Sequence, residues 1–127
     1  MITGNSLTKL WRLLPAAIWM GLVFYLSSVP ELELQGEWSI YDFALRKLAH
    51  VFEYTVLYLL VFWGWRPYLT RSQNLKLSLV IALIYAAVDE FHQSLVPTRD
   101  GKLTDVLIDS SGIAIGVIVT AFKTKHA

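Results

Sequence analysis

Cysteine is absent from the 127 residues, which removes disulfides, thiolate metal ligands and a cysteine nucleophile, and leaves the redox compartment unreadable. Charge is scarce: 17% of residues are Asp, Glu, Lys or Arg against 55% apolar, a balance that excludes an ordinary soluble domain and points to an integral membrane protein. No repeat at a fixed period and no low-complexity linker interrupts the chain. It reads as a single unit over residues 1–127, with material for about four spans of roughly 20 residues and no second, soluble domain. The net charge of +1 says little by itself, and no nucleic-acid partner is expected.

The apolar residues gather into four stretches. The first, about 10–28, carries no charge between Leu13 and Leu26 and stops before Pro30, which disfavours continuing a helix. Lys9 and Arg12 ahead of it suit an uncleaved signal-anchor. Pro15 either kinks this segment or marks where an interfacial turn enters the bilayer. The second stretch, about 48–65, is aromatic-rich and is interrupted near its start by His50 and Glu53. The third covers about 75–93, and the fourth, about 103–122, opens with Asp105 and Asp109 before becoming apolar and small. The expected fold is all-α, an integral membrane bundle of four transmembrane helices.

Cation placement orients it. Lys9 and Arg12, then Arg66, Arg71 and Lys76, then Lys123 and Lys125 belong together on the cytoplasmic side, so both termini are expected there. The first connection holds Glu31, Glu33, Glu37 and Asp42 and fits the outer side. His50 and Glu53 then begin the second helix, Asp89 to Gln93 end the third, and Asp105 and Asp109 begin the fourth. The three clusters share the outward surface, and the connection from Ser94 to Lys102 adds Arg99.

Residues four apart share a helix face, so Arg46, His50 and Tyr54 form a stripe with Glu53 beside it. Asp89 faces the same way as His92 and Gln93, whereas Glu90 is turned roughly 100° away and is expected to meet a different neighbour. Asp105, Asp109, Gly112 and Gly116 fall on a narrow arc that joins two carboxylates to a small-residue seam able to dock helices closely, and self-association is one use of such a seam. Tyr54 suits either a hydroxyl cap on the network or an interfacial aromatic. Lys47 and Lys102 are long enough to snorkel outward.

Four elements, Leu26-Ser27-Ser28-x-Pro30, Arg46-Lys47-x-x-His50-x-x-Glu53-Tyr54, Asp89-Glu90-x-His92-Gln93-x-x-Val96-Pro97-x-Arg99 and Asp105-x-x-x-Asp109-x-x-Gly112, resemble the VanZ-like family of small bacterial membrane proteins. The likeness runs from about Leu26 to Gly116. It implies a multi-helix protein of the bacterial cytoplasmic membrane and cell envelope, and the family's name comes from a factor associated with resistance to the glycopeptide antibiotic teicoplanin, a phenotype rather than a reaction.

Three readings of the polar residues follow. As an enzyme on a lipid or lipid-linked envelope component, His50 or His92 would be the general base, Glu53 or Asp109 its orienting carboxylate, and Arg46 and Arg99 an anion clamp. Asp89 and Asp105 complete the expected reactive ring, with Lys47, Glu90 and Gln93 facing the ligand. A metal version would use His50, Glu53, His92, Asp105 and Asp109, although no His-Glu-x-x-His spacing is present, so the metal, like any cofactor, is left unassigned. Ser94 and Thr104 are hydroxyls available as nucleophiles. As a binding module, the same residues would recognise a head group, an anionic small molecule or an antibiotic without chemistry. As structural stitching, Asp109 would pair with an arginine and His92 with Glu53. An ion pathway is disfavoured because the cytoplasmic halves of helices two to four look almost free of polar groups.

Overall fold

The computed structural model describes residues 10–28, 39–96 and 103–126. A 3₁₀ turn at Leu10–Leu13 leads into α1 (Leu14–Ser28), followed by α2 (Ser39–Trp65), α3 (Arg71–Ser94) and α4 (Leu103–His126). The described residues contain no strand. Pro15 sits in the first turn of α1, where its missing N–H would have had no helical partner. It starts a helix here rather than kinking one.

Two helices begin earlier than the apolar pattern predicts. α2 opens at Ser39 instead of about 48, so Arg46 and Lys47 are helical residues rather than part of the connection. Charges in the first turns of a helix break an apolar run without breaking the helix, which is why hydropathy hid this part of it. α3 opens at Arg71 instead of about 75 because Thr70 caps it. The Thr70 hydroxyl accepts from the Gln73 N–H at 3.3 Å, and the Gln73 side-chain oxygen accepts from the Thr70 N–H at 3.1 Å, a reciprocal capping box.

Leu10–Ser28, Ala44–Trp65 and Asp105–Lys123 are long and apolar enough to cross a membrane. The protein is thus all-α with three segments suited to spanning, while α3 falls short by composition. The reason lies on its inner face. The buried residues of α3 are Asn74, Ser78, Ala82, Ala86, Asp89, Glu90 and Gln93, and its exposed large side chains include Val80, Ile84, Val88 and Phe91. The helix is polar inside and apolar outside, the reverse of a soluble amphipathic helix. Exposed apolar side chains also line the others, among them Ile18 and Tyr25 on α1, Leu48 and Phe52 on α2, and Leu107 and Phe122 on α4. A continuous apolar exterior of this kind needs a non-aqueous neighbour.

The core is centred on α2, whose Tyr54, Leu57, Tyr58, Val61 and Phe62 are enclosed by Ala82 and Ala86 of α3, Ile113 of α4 and Ala16 of α1. Its most extensive partner is α4. The two backbones meet at Gly112, where a Cβ would overlap the Val51 carbonyl oxygen, and Gly116 makes room for the Tyr58 ring, from which a Cβ would lie 2.6 Å. The Thr55 hydroxyl is 2.8 Å from both the Val51 and the Gly112 carbonyl oxygens, so one proton is shared between its own helix and the neighbour. The glycine seam expected on α4 is therefore a contact between helices of one chain.

The halves of the helices away from His50 are less devoid of polar groups than the sequence suggested. Asn74 donates to the Phe62 carbonyl at 2.8 Å and accepts from Ser78 at 2.9 Å, and Tyr58 meets Thr120 at 3.2 Å. These groups satisfy one another in pairs and form no continuous chain of ionisable residues.

Candidate functional site

The ionisable residues of α2, α3 and α4 converge at one end of the bundle. Lys47 and Asp105 form an ion pair, so Lys47 ties α2 to α4 instead of snorkelling away. One turn deeper, His50 Nδ1 lies 3.1 Å from an oxygen of Asp109 and 4.0 Å from one of Glu53. Deeper again, Tyr54 is fully buried and donates from its hydroxyl to Asp89 at 2.9 Å. The Arg46, His50, Tyr54 stripe expected from four-residue spacing thus runs down the wall of the site, and the hydroxyl-cap reading of Tyr54 is the one observed.

Asp89 is enclosed on every side. Ser27 of α1 donates to one of its oxygens at 2.5 Å, Tyr54 donates to the other, and Gln93 reaches both Ser27, at 3.1 Å, and Asp89, at 3.4 Å. This carboxylate binds three helices together with its acceptors satisfied, as a buried charge in a helical bundle requires.

Asp109 is different. Its side chain is 0% exposed, and neither of its oxygens receives a well-aligned hydrogen bond from the described residues. The His50 ring approaches as an ion-pair partner without the alignment of a full hydrogen bond. A buried carboxylate so thinly satisfied is expensive, and it stands directly behind an imidazole that is 16% exposed. With Nδ1 toward Asp109, the favoured neutral tautomer carries its proton there and leaves Nε2 as an acceptor.

His92 does not join His50. Its Nε2 is 2.8 Å from the Ser28 hydroxyl and its ring stacks on Phe24 at 4.2 Å between centroids, so it packs against α1. The Ser28 hydroxyl is also 2.9 Å from the Phe24 carbonyl; its single proton serves either that carbonyl or the imidazole. Glu90 is buried, and Arg46 is half-buried. Arg99, Lys102 and the side chain of Thr104 lie outside the described residues. Among the described residues no three His, Asp or Glu side chains come together as a metal ion would require, because His92 is turned to α1 and Asp105 is held by Lys47.

The pairings expected of a stitching network are therefore replaced. Asp109 meets a histidine rather than an arginine, and His92 meets a serine rather than Glu53. A site built from helices two, three and four also needs a correction, since α1 supplies Ser27 and Ser28 at its last turn. The Ser-Ser pair before Pro30 was legible as a helix end; nothing in its spacing disclosed that both hydroxyls turn inward to Asp89 and His92. The Trp19 indole N–H, donating to the Glu53 carbonyl at 2.9 Å, was equally hidden, because spacing along one helix does not name an acceptor on another.

No curated protein and no solved structure matches the chain. The model of the VanZ/LLP1 family matches residues 10–124, taking in α1 to α3, all but the end of α4 and every residue of the site, and the chain belongs to that family.

Proposed function

We propose that the protein binds, and transfers a proton to or from, the polar head group of a lipid or lipid-linked envelope component at the outer surface of the bacterial cytoplasmic membrane. The observation that carries this reading is the pair of a fully buried, thinly satisfied Asp109 and a partly exposed His50 3.1 Å from it. Such a pair is the orienting half of a general acid–base device: the carboxylate fixes the ring and stabilises its protonated form, while Nε2 faces the reactant. Arg46, above the imidazole on α2, favours an anionic head group, while Lys47 is engaged by Asp105. Asp89 acts differently, as a cross-link that holds α1, α2 and α3 in register around the pair.

The same reading makes α3 a fourth membrane span. Its 24 residues extend about 36 Å at 1.5 Å per residue, enough for a hydrocarbon core of about 30 Å, and its apolar exterior supports that assignment. With four spans and the cations grouped at one end, both termini are cytoplasmic and the His50 end faces outward. Cysteine-labelling of the otherwise cysteine-free chain checks this. A cysteine at Ser94 is expected to react with a membrane-impermeant maleimide added to intact spheroplasts, and one at Lys123 only after permeabilisation; the opposite pattern would reverse the site's location.

The chemistry is tested by incubating purified protein in lipid nanodiscs with labelled envelope lipids and following both retention and new products. His50→Gln and Asp109→Asn are each expected to lower turnover by about 10²-fold or more, the scale of a lost general acid–base group, while Glu33→Gln leaves it unchanged. Saturable retention without a product would make the protein a binding module. Neither retention nor product altered by the two substitutions, at normal expression, would reduce the network to a structural role.

A further inference from the structure

The opposite end of the molecule carries a second polar feature, independent of the His50 site. All ten Asp and Glu residues lie within 31–53 or 89–109, so none belongs to the turn joining α2 to α3, the start of α1 or the last turns of α4. That end holds Arg12, Arg66, Arg71, Lys76 and Lys123, and no Asp or Glu side chain of the described residues stands beside them. Between the 3₁₀ turn and the end of α2 opens a cleft of about 410 Å³ lined by Trp11, Arg12, Arg66 and Pro67.

Within it, Arg12 is held in a fixed pose. Its guanidinium lies 3.9 Å from the centroid of the Trp63 ring, and Nη2 donates to the Trp63 carbonyl at 2.8 Å. Its Nε is buried and has no hydrogen-bond partner among the described residues. A buried guanidinium N–H left unmatched is a donor awaiting an acceptor. Across the cleft, Arg66 is exposed. Trp11, edge-on to Trp63 at 5.8 Å and 60% exposed, presents the amphipathic ring expected at head-group level.

We propose that this cleft is a phosphate site that takes the phosphodiester of an anionic phospholipid from the adjoining leaflet, with Arg12 and Arg66 as its two cations and Trp11 beside the glycerol region. A fork of planar donors suits phosphate oxygens, and no Asp or Glu side chain among the described residues at this end competes for the arginines; the exposed Trp11 indole, of the kind that sits at head-group level, favours a lipid over a soluble anion. Diffuse attraction between a basic surface and an anionic leaflet would depend on total charge alone; a built site depends on which cation is removed.

Full-length protein is reconstituted in vesicles containing phosphatidylcholine and phosphatidylglycerol, released gently into detergent, and its retained lipids are counted by native mass spectrometry. Wild type is expected to retain phosphatidylglycerol over phosphatidylcholine, and Arg66→Gln to lower that preference about tenfold. Lys123→Gln, which removes a cation at the same end but away from the cleft, is expected to leave it unchanged. Arg12→Lys, which keeps the charge and loses the planar fork, should weaken it without unfolding the protein. Equal retention of the two lipids, or equal losses in Arg66→Gln and Lys123→Gln, would overturn the proposal. Displacement of the lipid by millimolar inorganic phosphate would assign the cleft to a soluble anion instead and overturn the lipid reading.

Discussion

Gly112→Ala is expected to destabilise the protein by about 1–3 kcal/mol, the usual range for overfilling a close-packed contact, and Gly112→Val to prevent stable folding. The methyl group of alanine would fall on the Val51 carbonyl oxygen, with the Val51 carbonyl carbon and Cα both at 3.1 Å. Those are backbone atoms of a helix, and no side-chain rotation relieves the overlap. α2 and α4 would have to move apart along their most extensive interface, stretching the Thr55 contact to Gly112. Because Asp109 lies one turn before Gly112 and His50 immediately precedes Val51, the same movement would open the His50–Asp109 pair. Gly21→Ala is the matched control: nothing lies within 4 Å of its added Cβ, and alanine favours a helix interior by about 0.5–1 kcal/mol over glycine. Thermal unfolding in detergent, followed by circular dichroism, compares the two. Equal midpoints for Gly112→Ala and wild type would show that the helices are not in backbone contact there.

Reading the chain as apolar stretches broken by polar codes located the helices and the end of the bundle where the ionisable groups meet. It did so because the two kinds of regularity involved are local: four-residue spacing put Arg46, His50 and Tyr54 on one line, and the Gly112 to Gly116 spacing marked a close helix contact. Partner choice is not local. His50 met Asp109, and His92 met Ser28 from a helix more than sixty residues earlier in sequence, because packing of α1 against α3 decides which acceptor lies nearest. Hydropathy also misjudged the two helix starts. At α3 it overlooked a capping box that Thr70 and Gln73 spell at the required three-residue spacing; at α2 it mistook charged first turns for a loop. The weak membrane signal of α3 has the same physical origin as the site itself, since the residues that lower its hydropathy are the ones it turns inward.

Asp89 offers the second large effect, and here the choice of substitution separates shape from charge. Asp89→Leu fills a similar volume but takes away the acceptor used by Ser27 and Tyr54 and reached by Gln93. Tyr54 and Asp89 are buried to within 1% of full enclosure, so water cannot replace the lost partner. Each stranded polar group costs about 1–3 kcal/mol, and interhelical hydrogen bonds within a membrane are worth roughly 0.6–2 kcal/mol; over three donors the first scale reaches about 3–9 kcal/mol, a substantial part of the 5–15 kcal/mol stability of a typical domain. Asp89→Leu is therefore expected to be poorly expressed and aggregated. Asp89→Asn should fold. Its carbonyl oxygen still accepts from Tyr54, and its amide can donate to the Ser27 hydroxyl, so the three-helix junction survives without the charge. Size-exclusion profiles and thermal midpoints of the two variants, measured side by side, decide between the roles assigned to this carboxylate. If Asp89→Asn folds and retains the ligand response that Asp109→Asn loses, Asp89 is a cross-link and the reactive charge resides on Asp109. If Asp89→Asn instead folds but loses that response, the negative charge at Asp89 acts on His50 through the bundle, and the acid–base unit comprises both carboxylates.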